Sequence, residues 1–449
     1  MKAPAKEADA LQQLPRALRE RLRDPTSRRL PPPRTGRNHV LYLLRTAHRS
    51  AGNPSLEVAL RLAMLLNLPL VCLAVVDDTF PASMDDGLVP PRRPTDRAAA
   101  FRLEALRELQ PAIAARGSVL YIHVVRDGLR AAVAMSLGAK ASIVIADEHY
   151  GIEPHASAVA RVSKTGAPVW LCDASCTVPS CVLAPSVLRG GNASFLRATA
   201  AMRATRLAHG WFPPRAPPPR RPPPDEQPPW SVDLSAPDAV ATILAMPSRR
   251  DATVPRVTHT RGGQRAAAAR WSAFIAAGGL RTYAKHRNSP LAPDGKGGSR
   301  MSAYINLGMI DPTQMARDAR GCRKYLEELV GFRSSAHLWC LLHPGGYADA
   351  RVAVPAWAQE QLRGSRGGSG RGGSPSLAAL ESGATGDALW DDCQRSLVLA
   401  GELHNNVRMA WGKAIPAWHG AALPSAASNH DLSARAAPTP PTPRARLQA

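Results

Sequence analysis

Between residues 38 and 182 short apolar runs recur: HVLYLL (39–44), PLVCLAVV (69–76), SVLYIHVV (118–125), SIVIAD (142–147) and PVWLCD (168–173). Their richness in Val, Ile and Leu is the pattern of strands buried on both faces. Longer stretches with helical spacing separate them, among them NPSLEVALRLAMLL and TDRAAAFRLEALRELQPAIAAR. Strand and helix alternating with short connections predict an α/β domain built on a doubly wound parallel sheet of five strands. From 262 to 418 the spacing is helical throughout, broken by the flexible RGSRGGSGRGGSPS (363–376), so an all-α domain follows.

The join between the two is proline-rich. WFPPRAPPPRRPPPDEQPPW (211–230) can form neither a helix nor a central strand, because proline lacks the amide donor, and reads as an extended polyproline linker. The chain therefore divides into a disordered leader at 1–37, the α/β domain at 38–205, the linker at 206–261, the helical domain at 262–418 and a disordered tail at 419–449.

Charge and cysteine content narrow the classes of function. Lys and Arg number 57 against 35 Asp and Glu, an excess that suits a polyanion such as nucleic acid or a bound phosphate group, although much of it lies in Arg-rich low-complexity stretches. Seven cysteines, an odd number spread over strands and helices, suit a reducing compartment. Cys172, Cys176 and Cys181 lack a fourth ligand and the spacing of a zinc site. The longest apolar run, LAMLLNLPLVCLAVV, is short and broken by Asn67 and Pro69, so no membrane span is expected. Glu7, Asp9, Glu20 and Asp24 speak against an organellar transit peptide in the leader, and the compartment, nucleus or chloroplast included, stays open.

No glycine-rich fingerprint follows the first strand, which disfavours an NAD-type site. Arg45, His48, Arg49 and Asp77 follow the first two strands, where open α/β sheets place ligands; a solvated loop rim explains them equally well. In GGSRMSAYINLGMIDP (297–312) Ser299 can cap a helix beginning near Arg300, with Met301 and Ser302 in its first turn, an arrangement able to take an anion such as a diphosphate. YLEELVGFRSSAHLWCLLHP (325–344) offers Leu326, Leu329, Val330 and Phe332 to a core and carries Glu327, Glu328 and Arg333 beside them. In GELHNNVRMAWGK (401–413) the stripe Leu399, Leu403, Val407 and Trp411 points to a core, while His404, Asn405 and Arg408 share another face that is either exposed or lines a polar site.

In this order, RGGQRAAAARWSAFI, TYAKHRNSP, GGSRMSAYINLGMIDP, LEELVGFRSS, PAWAQEQL and TGDALWDDCQRSLVLAGELHNNVRMAWGK, after a five-stranded α/β domain, resemble the DNA photolyase and cryptochrome family. The resemblance spans residues 38–418 and is strongest at 385–413, with the flavour of class II photolyases and related photolyase-like proteins. It implies FAD in the helical domain, held by Tyr283, Ser299, Arg300, Met301 and Ser302 around the phosphates and by Arg333, Asn405 and Arg408 around the flavin. Glu328 then stands beside a flipped pyrimidine dimer, and Trp390, Trp411 and Trp418 become candidates for electron hopping. The activity implied is blue-light-driven repair of cyclobutane pyrimidine dimers, a carbon–carbon lyase reaction on damaged DNA by a monomer. A cryptochrome-like photoreceptor, or an inactive homologue that binds nucleic acid or protein, is the alternative. Family members continue with further flavin-gripping helices where this chain turns to low complexity, so the helical domain is read as incomplete after Trp418.

Overall fold

The computed structural model describes residues 10–27, 29–77, 94–126, 132–151, 153–224, 226–291, 297–344, 346, 352, 354–364 and 375–419. The tail beyond 419 and most of the glycine and serine stretch therefore lie outside the described residues. Six strands form one sheet: β1 (Leu22–Arg23), β2 (His39–Leu44), β3 (Leu70–Val76), β4 (Val119–Val124), β5 (Ala141–Asp147) and β6 (Val169–Cys172). Their order is β1-β6-β5-β2-β3-β4. The five expected strands, β2 to β6, pair in parallel, and β1 adds an antiparallel edge with Leu22 opposite Cys172.

Of the leader that composition suggests, residues 10–27 and 29–37 are described, and the first of these stretches packs on the α/β domain. Leu14 and Leu18 enter the main core beside a short helix, Arg16–Arg19. Buried Arg21 donates to the carbonyls of Asp173 and Cys176, each at 2.8 Å, and of Thr177 at 3.3 Å. Apolar residues spaced among the arginines, together with the unpaired backbone of the β6 edge, explain the order: each supplies what the other must bury or bond.

Alternation along the strands divides the sheet into two faces. Val40, Tyr42, Leu44, Ile143 and Ile145 pack on one side with helices α1 (Pro54–Leu66) and α2 (Asp96–Ala114). Leu41, Leu43, Val144 and Leu171 pack on the other against α3 (Val133–Lys140) and α4 (Glu153–Ser163). Burying one such side chain contributes about 1.5–3 kcal/mol, so the two faces supply most of this domain's stability. Helix α1 begins where Asn53 accepts from the Leu56 amide and Pro54 presets the first turn, and it ends at Asn67 in the left-handed region.

Residues 211–224 and 226–228 of the proline-rich connection form no helix or strand and lie against the α/β domain. Trp230 stands edge-on to Tyr121 and His123, and the Val232 amide donates to the Ile122 carbonyl at 2.9 Å, covering the β4 edge.

Beyond it come α5 (Gln264–Ala276), α6 (Gly279–His286), α7 (Ser302–Asn306), α8 (Pro312–Asp318) and α9 (Arg323–Leu326), which continues as a π-helical turn, Glu327–Phe332, into α10 (Arg333–Leu342). Their core holds Trp271, Phe274, Met301, Tyr304, Met309 and Tyr325, and Phe101 and Ala105 of α2 belong to it as well. Helix α2 thus serves both domains. The last helices are α11 (Ala356–Gly364), α12 (Leu377–Ser382), α13 (Ala388–Ala400) and α14 (Asn405–His419), the final three packing through Leu380, Trp390, Leu397 and Trp411. Two expected core positions are exposed: Phe332 at 51% and Leu399 at 69%. For Leu399 the reason is Gly401, whose φ of 73° ends α13, so the four-residue stripe does not run along one helix.

Candidate functional site

The carboxyl ends of the strands are occupied by a fastening to the helical domain. Asp147, at the end of β5, accepts from the Arg45 and Thr46 amides at 2.8 Å each and from the Tyr42 hydroxyl at 2.9 Å. This sharp turn presents the His48 amide and Nδ1 to the Leu307 carbonyl at 3.0 and 2.9 Å. Arg102 donates to Nε2 of the same ring at 3.1 Å, which places the ring proton on Nδ1 and leaves the imidazole neutral. Burial, followed by the charge of Arg102, pushes the His48 pKa down to about 3. Arg49 spans the domains through the Gly52, Ala174 and Gly308 carbonyls at 3.0, 2.8 and 2.9 Å, and Arg45 pairs with Asp77 at 3.4 Å. Two of the four residues flagged at these strand ends, His48 and Arg49, therefore join the domains, and Arg45 and Asp77 pair with each other beside them. Gly308, with φ 64°, lies so close to the Thr46 carbonyl that a Cβ would overlap its oxygen.

Within the helical domain the structure brings Tyr283 and Ser299 against Tyr325, with Glu328 close enough to Tyr283 for its charge to act on the phenol. The Tyr283 and Tyr325 rings meet edge-on at 4.9 Å, and the Ser299 hydroxyl lies 3.0 Å from the Tyr325 hydroxyl. Burial, reinforced by the Glu328 charge, pushes the Tyr283 phenol up to about 12, so it is a neutral donor near pH 7. Glu328 projects from the π-helical turn and pairs with Arg287 at 3.2 Å and Lys324 at 3.1 Å. Single π turns shift the side chains that follow by one position and recur at functional sites. Gly331 makes the turn fit: a Cβ there would stand 2.8 Å from Oδ1 of Asn192.

Arg300 and the carboxy-terminal helix form a second, more exposed group. The Arg300 guanidinium pairs with Glu402 at 3.2 Å, Glu402 also lies 3.4 Å from His259, and Asn406 donates to the Asn288 carbonyl at 2.8 Å. Arg300 holds a φ of 54°, an uncommon conformation for a residue with a Cβ. Arg408 is exposed and donates to Asn405 Oδ1 at 2.7 Å. The end of α13 is capped from the other domain: buried Arg97 of α2 donates to the carbonyls of Leu397 at 2.9 Å, Val398 at 2.6 Å and Leu399 at 3.4 Å.

Other flagged residues stand differently from expectation. Ser299 does not cap α7: the helix begins at Ser302 behind Met301, no side chain caps it, and the Ser299 hydroxyl is turned to Tyr325 instead. At five residues α7 is too short to act as an anion site through its own dipole. Met301 is a core residue and Ser302 is exposed. Arg333 points away from the cluster, donating to the Ser175 carbonyl of the α/β domain at 2.6 Å. Trp390 and Trp411 stack at 4.1 Å. Sequence reasoning passed over Tyr325, Arg287, Glu402 and Arg97; for Tyr325 the usable signal was an aromatic ring immediately before the LEEL motif. Among the described residues no group of three or more His, Cys, Asp or Glu is placed to hold a metal ion, and no helix is long and apolar enough to cross a membrane.

A mostly parallel α/β domain joined to an all-helical domain is the two-domain architecture of the chain. Over its amino-terminal third the chain is similar to DNA photolyases. Residues 40–191 match the family model described as DNA photolyase. The deoxyribodipyrimidine photo-lyase of Methanothermobacter thermautotrophicus is 32% identical over 161 residues, 35% of each chain, and that of Arabidopsis thaliana 31% identical over 147 residues, 31% of this chain and 29% of the other. The matched stretch is thus about a third of the length of these curated relatives. Among solved structures, a Synechocystis cryptochrome is similar with a TM-score of 0.61 at 15% identity, covering 92% of this chain and 79% of the other. A class III photolyase from Agrobacterium tumefaciens gives 0.58 at 17% identity over the same shares. An archaeal photolyase from Sulfolobus tokodaii, solved with two FAD molecules, gives 0.57 at 15% identity over 91% and 82%. At these identities the structural likeness speaks for the fold.

Proposed function

We propose that the chain binds FAD in its helical domain and uses it for blue-light-driven repair of cyclobutane pyrimidine dimers in DNA. The observation that carries this reading is the assembly of Tyr283, Ser299, Tyr325 and Glu328 in one place, within a fold shared with photolyases and cryptochromes. The donor set suits a dinucleotide: phenol and serine hydroxyls with a cation, Arg300, at the rim, and Gly298, where a Cβ would meet no atom within 4 Å. Tyr283, Ser299, Arg300 and Ser302 would hold the phosphates, and Asn405 and Arg408 would form a wall. Arg333, turned to the α/β domain, fits that role poorly and serves as a brace.

Reduced flavin, when bound, would lend the photoexcited electron that opens the cyclobutane ring and take it back once the ring has split, so the repair is redox-neutral. The chain's own residues do the rest. Glu328 accepts a hydrogen bond from a base extruded into the site, and extrusion costs only a few kcal/mol when the lesion already stacks poorly. Arg287 and Lys324 fix the orientation of that carboxylate through their ion pairs. The net charge of +22 supplies salt-dependent attraction to the phosphate backbone.

A second reading, light sensing without repair, is favoured by one feature: both ion pairs of Glu328 are formed within the protein, which leaves its carboxylate less free for a base. Absorption spectra of the purified chain test the common premise; absence of flavin bands, with no binding of added FAD, rejects both. Blue-light repair of dimer-containing DNA then separates them. Repair that disappears in Glu328→Ala supports the first reading, and undiminished repair in that variant removes the role given to Glu328.

A further inference from the structure

The strap between the domains exposes a feature that neither flavin nor DNA accounts for. In PRAPPPRR (214–221) the buried positions are Ala216 and Pro219, three apart, while Pro214, Arg215, Pro217, Pro218, Arg220 and Arg221 are exposed. Three residues is one turn of a polyproline II helix, so one of its three faces lies on the α/β domain and two face outward. The buried face is fixed at several points. Arg61 donates to the Pro214 carbonyl at 2.6 Å, Glu57 accepts from the Ala216 amide at 2.7 Å, and Arg116 donates to the Ala216 carbonyl at 3.0 Å. Gly117 admits Pro218, whose Cβ would stand 2.9 Å from a Cβ placed on that glycine.

We propose that this ridge is a docking surface for a partner protein whose domain reads polyproline II through an aromatic slot with an acidic rim. Pro217 and Pro218 are adjacent and both exposed, which is the pair that such a slot accepts. Arg215 on one side and Arg220 and Arg221 on the other are exposed, and none makes a hydrogen bond or ion pair among the described residues, so their charges are available to acidic side chains of the partner. Because the strap is already held extended, little chain entropy is lost on binding. Nucleic acid would use the arginines alone and leave the prolines without a role. This inference stands whether or not the flavin reading does.

The test uses the purified full-length chain and, as probe, a recombinant WW domain that selects Pro-Pro-Arg ligands, with binding followed by calorimetry. A copy of that domain whose slot tryptophan is replaced by alanine serves as control. Specific binding by the intact domain is expected, weakened about tenfold or more in Pro217→Ala/Pro218→Ala and similarly in Arg220→Glu/Arg221→Glu, since the slot and the rim each carry a share. These exposed positions leave the fold intact, which thermal melts of the variants verify. Absence of binding, equal binding by the slot-deficient control, or unchanged affinity in the proline variant overturns the proposal. So does binding of a short DNA duplex in its place that only the arginine variant loses, which would make the ridge an anion surface.

Discussion

The domain interface and the last two helices are stabilised in opposite ways. At the interface buried side-chain donors meet backbone carbonyls: the Arg49 guanidinium reaches Ala174 and Gly308, and the neutral His48 ring reaches Leu307. Helices α13 and α14 rest mainly on a small cluster around Trp390 and Trp411, with Leu389, Leu399 and Met409 exposed, and Arg97 of α2 ties down the end of α13 alone. The first arrangement tolerates little change, because a buried carbonyl that loses its donor costs about 1–3 kcal/mol. The second can open locally while the rest of the molecule stays folded. The candidate site lies across this contrast: Tyr283, Ser299 and Tyr325 border the firm core, and Asn405 and Arg408 belong to the part that opens.

Four variants probe the contrast. The largest effect is expected from Gly308→Val, which combines a left-handed backbone with a clash against Thr46; a loss of about 4 kcal/mol in chemical unfolding, spread over both domains, is expected from backbone strain and overpacking. Trp390→Ala should remove about 3–4 kcal/mol but only locally, so limited proteolysis should release α13 and α14 while the α/β domain persists. Cooperative loss of the whole fold in that variant would erase the distinction drawn between the two regions.

A smaller, pH-dependent effect belongs to His48. Its folded pKa is near 3, below the ordinary 6.5, so the unfolded chain takes up the proton first as the pH falls. The stability contributed by the neutral ring is complete above about pH 6.5 and declines toward pH 3. Melting temperatures across that range should fall less steeply in His48→Asn than in the parent. The smallest effect is expected from Glu328→Gln: its ion pairs are partly exposed, so stability should change by less than about 1 kcal/mol, and a larger loss would make Glu328 part of the scaffold.

The sheet was legible because strands buried on both faces need nearly unbroken apolar runs, and β2 to β6 have them. Strand β1 was not, since two residues carry no periodicity and the carbonyl partners of its neighbour Arg21 lie some 150 residues away. Helical spacing misled at Leu399, where the pattern continues through a glycine that ends the helix. For the site, TYAKHRNSP and GGSRMSAYIN pointed to Tyr283 and Ser299, which do come together, although through Tyr325 rather than a helix cap. That Arg333 reaches Ser175 of the α/β domain was not legible, because the helical period says which face a residue takes, not which domain that face meets.

Arg97 also bears on the order in which the chain folds. Its bond to the Leu397 carbonyl joins positions 300 residues apart. Contacts of such separation form late, because closing the intervening loop costs chain entropy before the contact returns anything. Helix α13 is therefore expected to lock only after α2 has been seated on the sheet, which makes the α/β domain the template on which the end of the helical domain is set during synthesis.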